Sequence, residues 1–70
     1  MNETVLNKVY DLRARTGATQ EDLAFAVGVT RQTIIAIEKG NYVPSVLLAL
    51  KISKFFRQPL ERVFQIKYEK

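Results

Sequence analysis

The spacing of apolar and turn residues in this 70-residue chain predicts an all-α domain of five short helices, with strand periodicity over its last six positions. Three features carry the prediction. Apolar residues recur at helical spacing in successive blocks. Gly17, Gly28, Gly40, Pro44 and Pro59 separate those blocks at regular intervals. Thr19, Thr30 and Ser45 stand where the first amides of a helix need an acceptor.

The first block holds Val5, Leu6, Val9, Tyr10 and Leu12, which predicts a helix from about Glu3 to Arg15 with Gly17 as its stop. In the second, Thr19 and Asp22 have the spacing of a capping box, and Glu21 and Asp22 complement the positive end of the helix. Leu23, Ala24 and Val27 form its apolar side, and Gly28 ends it. The third block opens on Thr30, with Val29 and Ile34 spaced as a hydrophobic staple; Ile34 and Ile37 face inward and Gly40 stops the helix.

The fourth block follows Pro44, with Ser45 as cap and Val46, Ala49, Leu50, Ile52, Ser53 and Phe56 on or near one face. Pro59 suits the first position of a short fifth helix holding Leu60, Val63 and Phe64. From Gln65 the pattern changes, because Ile66 and Tyr68 alternate with Gln65, Lys67 and Glu69.

Composition narrows the function. A chain this short is one domain that buries only about 60% of its unfolded surface, so its stability leans on regular packing or a partner subunit. There is no Cys and no His, which removes disulfides, thiolate and imidazole metal sites, and the usual base and nucleophile of an enzyme. No metal, cofactor or small-molecule ligand is expected, and an enzyme is the weakest of the function classes. Eleven Lys and Arg against seven Asp and Glu give a charge of +4, which favours a polyanionic partner modestly. No apolar run approaches the roughly 20 residues of a membrane span, and the N-terminus lacks the order of a signal peptide, so a cytoplasmic protein without a membrane partner is expected.

The segment from Gln20 to Lys39 concentrates the functional signal. Two helices of about eight residues meet at Gly28, which supplies the left-handed hinge, and Ala24 is small enough for the crossing point. Leu23, Val27, Val29, Ile34 and Ile37 fill the inner side. Arg31, Gln32 and Thr33 remain outside at the start of the third helix, the face that base edges meet in a helix-turn-helix.

The run TQEDLAFAVGVTRQTIIAIEKGNYVPS resembles the helix-turn-helix of the phage-repressor (Cro/CI, XRE-like) family. The flanking VYDLRARTG and LALKISKFF…PLERVF resemble the outer helices of its smallest members, including the compact dimeric regulators of the cytolysin-repressor type. This likeness spans nearly the whole chain and implies a λ-repressor-like five-helix domain. By position it assigns Gln20 to a phosphate, and Thr30, Arg31, Gln32, Thr33 and Ala36 to bases or adjacent phosphates. Lys39, Asn41 and Tyr42 fall where the backbone is gripped, and Arg13 and Glu38 match a structural ion pair. Arg31 suits guanine O6 and N7, and Gln32 suits adenine N6 and N7. Ile35, on the outer face, meets either a thymine methyl group or the domain edge. Departures from the pattern are Ala18, where a larger apolar residue is usual, and Arg57 and Gln58, which make a strained lead-in to the fifth helix.

Apolar residues beyond the expected core, Leu60, Val63, Phe64, Ile66 and Tyr68, predict an isologous dimer surface, with residues 65–70 as a strand paired across the axis. The alternative is Phe64 folded back on the fourth helix and a frayed tail. Phe25, Phe55, Phe56 and Phe64 read as core or dimer surface and form no base-stacking platform. The expected function is a repressor that binds a pseudo-palindromic operator as a homodimer on double-stranded DNA. Its rival is an antitoxin-like interaction module whose C-terminal end binds another protein.

Overall fold

The computed structural model describes residues 2–69. Strand β1 (Asn2–Asn7) leads into helices α1 (Val9–Thr16), α2 (Gln20–Val27), α3 (Arg31–Glu38), α4 (Val46–Phe55) and α5 (Leu60–Val63), and strand β2 (Phe64–Glu69) closes the chain. The domain is therefore five helices with a two-stranded antiparallel sheet, in which Val5 faces Ile66 and Asn7 faces Phe64.

The sheet corrects two expectations. Residues 3–8 are strand and junction instead of the first turns of a helix, because the partner that makes them a strand lies some sixty residues along the chain, where local periodicity carries no information. The C-terminal strand is present, but it pairs with β1 of its own chain, so no strand pairing across a two-fold axis is needed to order it. A hydrogen bond from the Lys8 amide to the Val63 carbonyl (2.8 Å) ties the end of β1 to the end of α5.

The starts of α2, α3 and α4 follow their caps. Thr19 Oγ1 accepts from the Asp22 amide and the Asp22 carboxylate accepts from the Thr19 amide, both at 2.9 Å, which completes the capping box. Thr30 caps α3 and Ser45 caps α4 in the same sense. Pro59 is the residue before α5, extended at φ −64° and ψ 152°, one position earlier than the spacing suggested. The strained lead-in is real: Arg57 is the one non-glycine residue in the left-handed region among those described, at φ 56°.

One core joins all five helices. Val9, Leu23, Ile34, Ile37, Ile52 and Val63 are wholly buried, with Ala24, Val27, Leu48 and Phe56 beside them and Leu12, Val29 and Phe64 packed on the rim. On α4 the buried set is Leu48, Ala49, Ile52 and Ser53, while Val46 and Leu50 are exposed, contrary to expectation. The run Val46–Leu50 is apolar on every side, so its periodicity does not select a face. Val63 is also corrected: with no exposed surface it belongs to the core and cannot touch a second copy. No helix among the described residues is long and apolar enough to cross a membrane.

Candidate nucleic-acid interface

Gly28 makes the turn between α2 and α3. Its φ of +77° is costly for any residue with a Cβ, and it lets the Val29 amide reach back to the Ala24 carbonyl at 3.0 Å, closing α2 in little space. Ala24 is 3% exposed where α2 meets the rest of the domain. With Ile34 and Ile37 held in the core, the opposite face of α3 is turned outward.

On that face Arg31, Gln32 and Lys39 are exposed and Thr33, Ile35 and Ala36 are half-buried. Gln32, Ala36 and Lys39, spaced by four and three residues, form one stripe along the helix. Asn41 and Tyr42 follow it and are exposed. Thr30 also lies at the surface, but its hydroxyl is engaged with Thr33, accepting from the amide at 3.4 Å and lying 3.3 Å from the Thr33 hydroxyl. Arg31, Gln32, Ile35, Ala36 and Lys39 thus lie on the side of α3 away from Ile34 and Ile37.

A relay of polar side chains holds the start of that surface. Glu38 is joined to Arg13 by two bonds, from Nε (2.8 Å) and Nη2 (3.1 Å), so the expected ion pair is present and bidentate. Its carboxylate raises the Arg13 pKa above the ordinary arginine value, chiefly by hydrogen bonding and further by charge, against the opposing effect of burial. Gln20 Nε2 donates to Glu38 Oε1 at 3.1 Å, and Arg31 Nε donates to Gln20 Oε1 at 3.3 Å. Three helices are thereby linked from Arg13 on α1, through Glu38 on α3 and Gln20 on α2, to the first residue of α3. Sequence reasoning placed Gln20 on a phosphate and missed this brace. The role was hidden because the spacing of Gln20, Arg31 and Glu38 is tertiary.

A helix-turn-helix family model matches residues 9–63. The chain belongs to the XRE-type helix-turn-helix family. Within it, the chain is 62% identical over 63 residues to an uncharacterised HTH-type transcriptional regulator, YgzD of Bacillus subtilis, covering 90% of this chain and 96% of that protein. It is 35% identical over 54 residues to the cryptic phage CTXphi transcriptional repressor RstR of Vibrio cholerae, covering 77% of this chain and 49% of the repressor. The crystal structure of the restriction-modification controller protein C.AhdI from Aeromonas hydrophila superposes with a TM-score of 0.74 at 27% identity, covering 79% and 83% of the two chains.

The helix-turn-helix surface is not the only exposed one. Val5, Val43, Pro44, Val46, Ala49, Leu60 and Phe64, together with Glu61, line a mainly apolar hollow of about 210 Å³ beside β1 and the start of α4. Strand register puts Ile66 on the same sheet face as Val5, and Tyr68 and Phe64 on that face as well. Val46 is 74% and Ile66 62% exposed. Phe25, expected in the core or a dimer surface, is 90% exposed on α2 beside Lys51, Lys54 and Phe55. Nothing in the fold explains its exposure. Among the described residues no group of acidic, His or Cys side chains could hold a metal ion.

Proposed function

We propose that this helix-turn-helix protein binds one double-stranded DNA sequence as a two-fold dimer and represses transcription from the promoter it covers. The observation that supports the reading most strongly is the braced Arg31. Its Nε is held by Gln20, while its terminal amino groups have no partner among the described residues. A guanidinium fixed at one edge is pre-organised for a bidentate bond to guanine O6 and N7, and Gln32 beside it suits adenine. Thr33, Ile35 and Ala36 complete the base-facing set. Lys39, Asn41 and Tyr42 bind backbone phosphates at one end, and Gln20 and Thr30 do so at the other. The Gln20 and Glu21 amides, which precede the first intrahelical bond, add donors there.

Dimerisation uses the apolar surface around the start of α4 together with one face of the sheet: Val46, Leu47, Leu60, Phe64, Ile66 and Tyr68. Leu47 is exposed beside Val46, and the sheet residues continue the same surface. A self-complementary patch on a marginal 70-residue domain serves both stability and recognition. Two α3 helices about 34 Å apart enter successive major grooves, whereas one alone reads too few base pairs to be selective. Repression is supported by the named role of the phage repressor it resembles.

Selection of bound duplexes from random DNA tests the reading. Enrichment of a sequence with two inverted half-sites spaced by about one helical turn is expected. A pool that stays random after repeated rounds refutes sequence-specific binding, and a single asymmetric half-site refutes the dimer.

A further inference from the structure

We infer that the sheet is part of the DNA interface: the groove between strand β1 and the end of α3 seats a backbone phosphate beyond the recognition helix, with Lys67 as its cation. The inference rests on the DNA-binding reading above. The groove, of about 370 Å³, is lined by Thr4 to Asn7 along β1, by Glu38, Lys39 and Gly40 at the end of α3, and by Lys67 from β2. Lys67 stands opposite Thr4 in the strand register, so it belongs to the sheet face turned away from Ile66 and Tyr68. The face bearing Ile66 and Tyr68 and the face bearing Lys67 are therefore separate surfaces of one small sheet.

Charge and position both favour a phosphate. Glu38, the carboxylate among the described residues lining the groove, is already held by Arg13 and its side chain is 6% exposed, so it does not neutralise Lys39 and Lys67. Lys39 ends the Gln32–Ala36–Lys39 stripe, and a duplex lying along that stripe passes over Lys39 into the groove. Asn7 fixes the strand there by donating from Nδ2 to the Ile37 carbonyl at 2.9 Å, and its Oδ1 accepts from the Val9 amide at 3.2 Å. The sheet is thereby locked to the helix that reads the DNA, so Lys67 reaches the backbone in a set register. Thr4 and Lys67 are exposed and have no part in the core. Strand pairing in this chain thus carries a cation from the far end of the sequence to the recognition helix.

The test is the salt dependence of operator binding by the full chain, using a duplex taken from the selection described above. Each lost phosphate contact lowers the slope of log K against log salt by about 0.9, or roughly 1.8 for a dimer. Lys67→Gln is expected to lower the slope by that amount and to weaken all duplexes alike, Lys67→Arg to restore it, and Thr4→Glu to weaken binding with sequence preference unchanged. A Lys67→Gln protein with the parental slope and affinity, alongside a Lys39→Gln protein whose slope falls, overturns the inference while leaving the recognition helix assigned. A parent that binds no duplex overturns the DNA-binding reading itself.

Discussion

Removing the Glu38 carboxylate tests the brace that ties α1 and α2 to the first residue of α3. Glu38 accepts three hydrogen bonds, two from Arg13 and one from Gln20, and the side chains of the ion pair are 14% and 6% exposed. Deleting one member of a buried pair typically costs about 3–5 kcal/mol, because the other charge is left without its partner. Here Arg13 keeps a bond from Nη1 to the Ala18 carbonyl (3.1 Å) and its position over the Tyr10 ring, so the low end, about 3 kcal/mol, applies to Glu38→Ala. A domain of this length has a total stability of roughly 4–10 kcal/mol, so the variant remains folded at low temperature but with Tm lowered by about 12–24 °C. Thermal and urea unfolding measure the loss. The Arg13→Ala/Glu38→Ala double variant is expected to be destabilised by less than the sum of the single changes, by about 1 kcal/mol or more. Strict additivity, or a Glu38→Ala Tm within about 3 °C of the parent, refutes a coupled pair. At temperatures where Glu38→Ala is folded it should still bind its operator less tightly, since Gln20 and Arg31 lose their support.

Three further outcomes follow from packing and backbone geometry. Ile66→Asp and Leu47→Asp, which alter exposed residues of the proposed dimer patch, should yield folded monomers in sedimentation, whereas Val63→Asp should unfold the chain because that side chain is wholly buried; a folded dimer in the first two variants contradicts the patch. Gly28→Ala meets no atom within 4 Å but enforces a φ of +77° on a residue with a Cβ, so a loss of about 1–2 kcal/mol in urea unfolding is expected from backbone strain alone. Arg57→Gly relieves the same strain at φ 56° and should raise stability by about 0.5–1 kcal/mol, the relief being partly offset by the freer unfolded chain.

What could be read from the sequence divides by range. The starts of α2, α3 and α4 were legible because each depends on neighbours a few residues away: Thr19 with Asp22, Thr30 with Thr33, and Ser45 with Leu48. The helix-turn-helix was legible for the same reason, its hinge glycine, small crossing residue and inner apolar set lying within twenty residues. The Arg13–Glu38 pair, 25 residues apart, came only through family resemblance, and the Gln20 link to it was missed. Strand β1 was misread as helix because Val5 and Leu6 suit either pattern until Ile66 and Gln65 are placed opposite them. The buried face of α4 was misassigned because five apolar residues in a row offer no polar side to orient it. Lys67 carried no signal until the register placed it across from Thr4, beside the end of α3.

In the proposed function the start of α3 reads bases and is not merely a charged helix end. The most direct measurement is the affinity of the parent, Arg31→Ala and Gln32→Ala for the selected operator and for every single-base-pair change within a half-site. Each variant is expected to lose about 1–3 kcal/mol on the operator and to become indifferent at one position per half-site, while its affinity for random DNA changes less. If both variants keep the parental affinity and the parental preference at every position, α3 does not read the sequence.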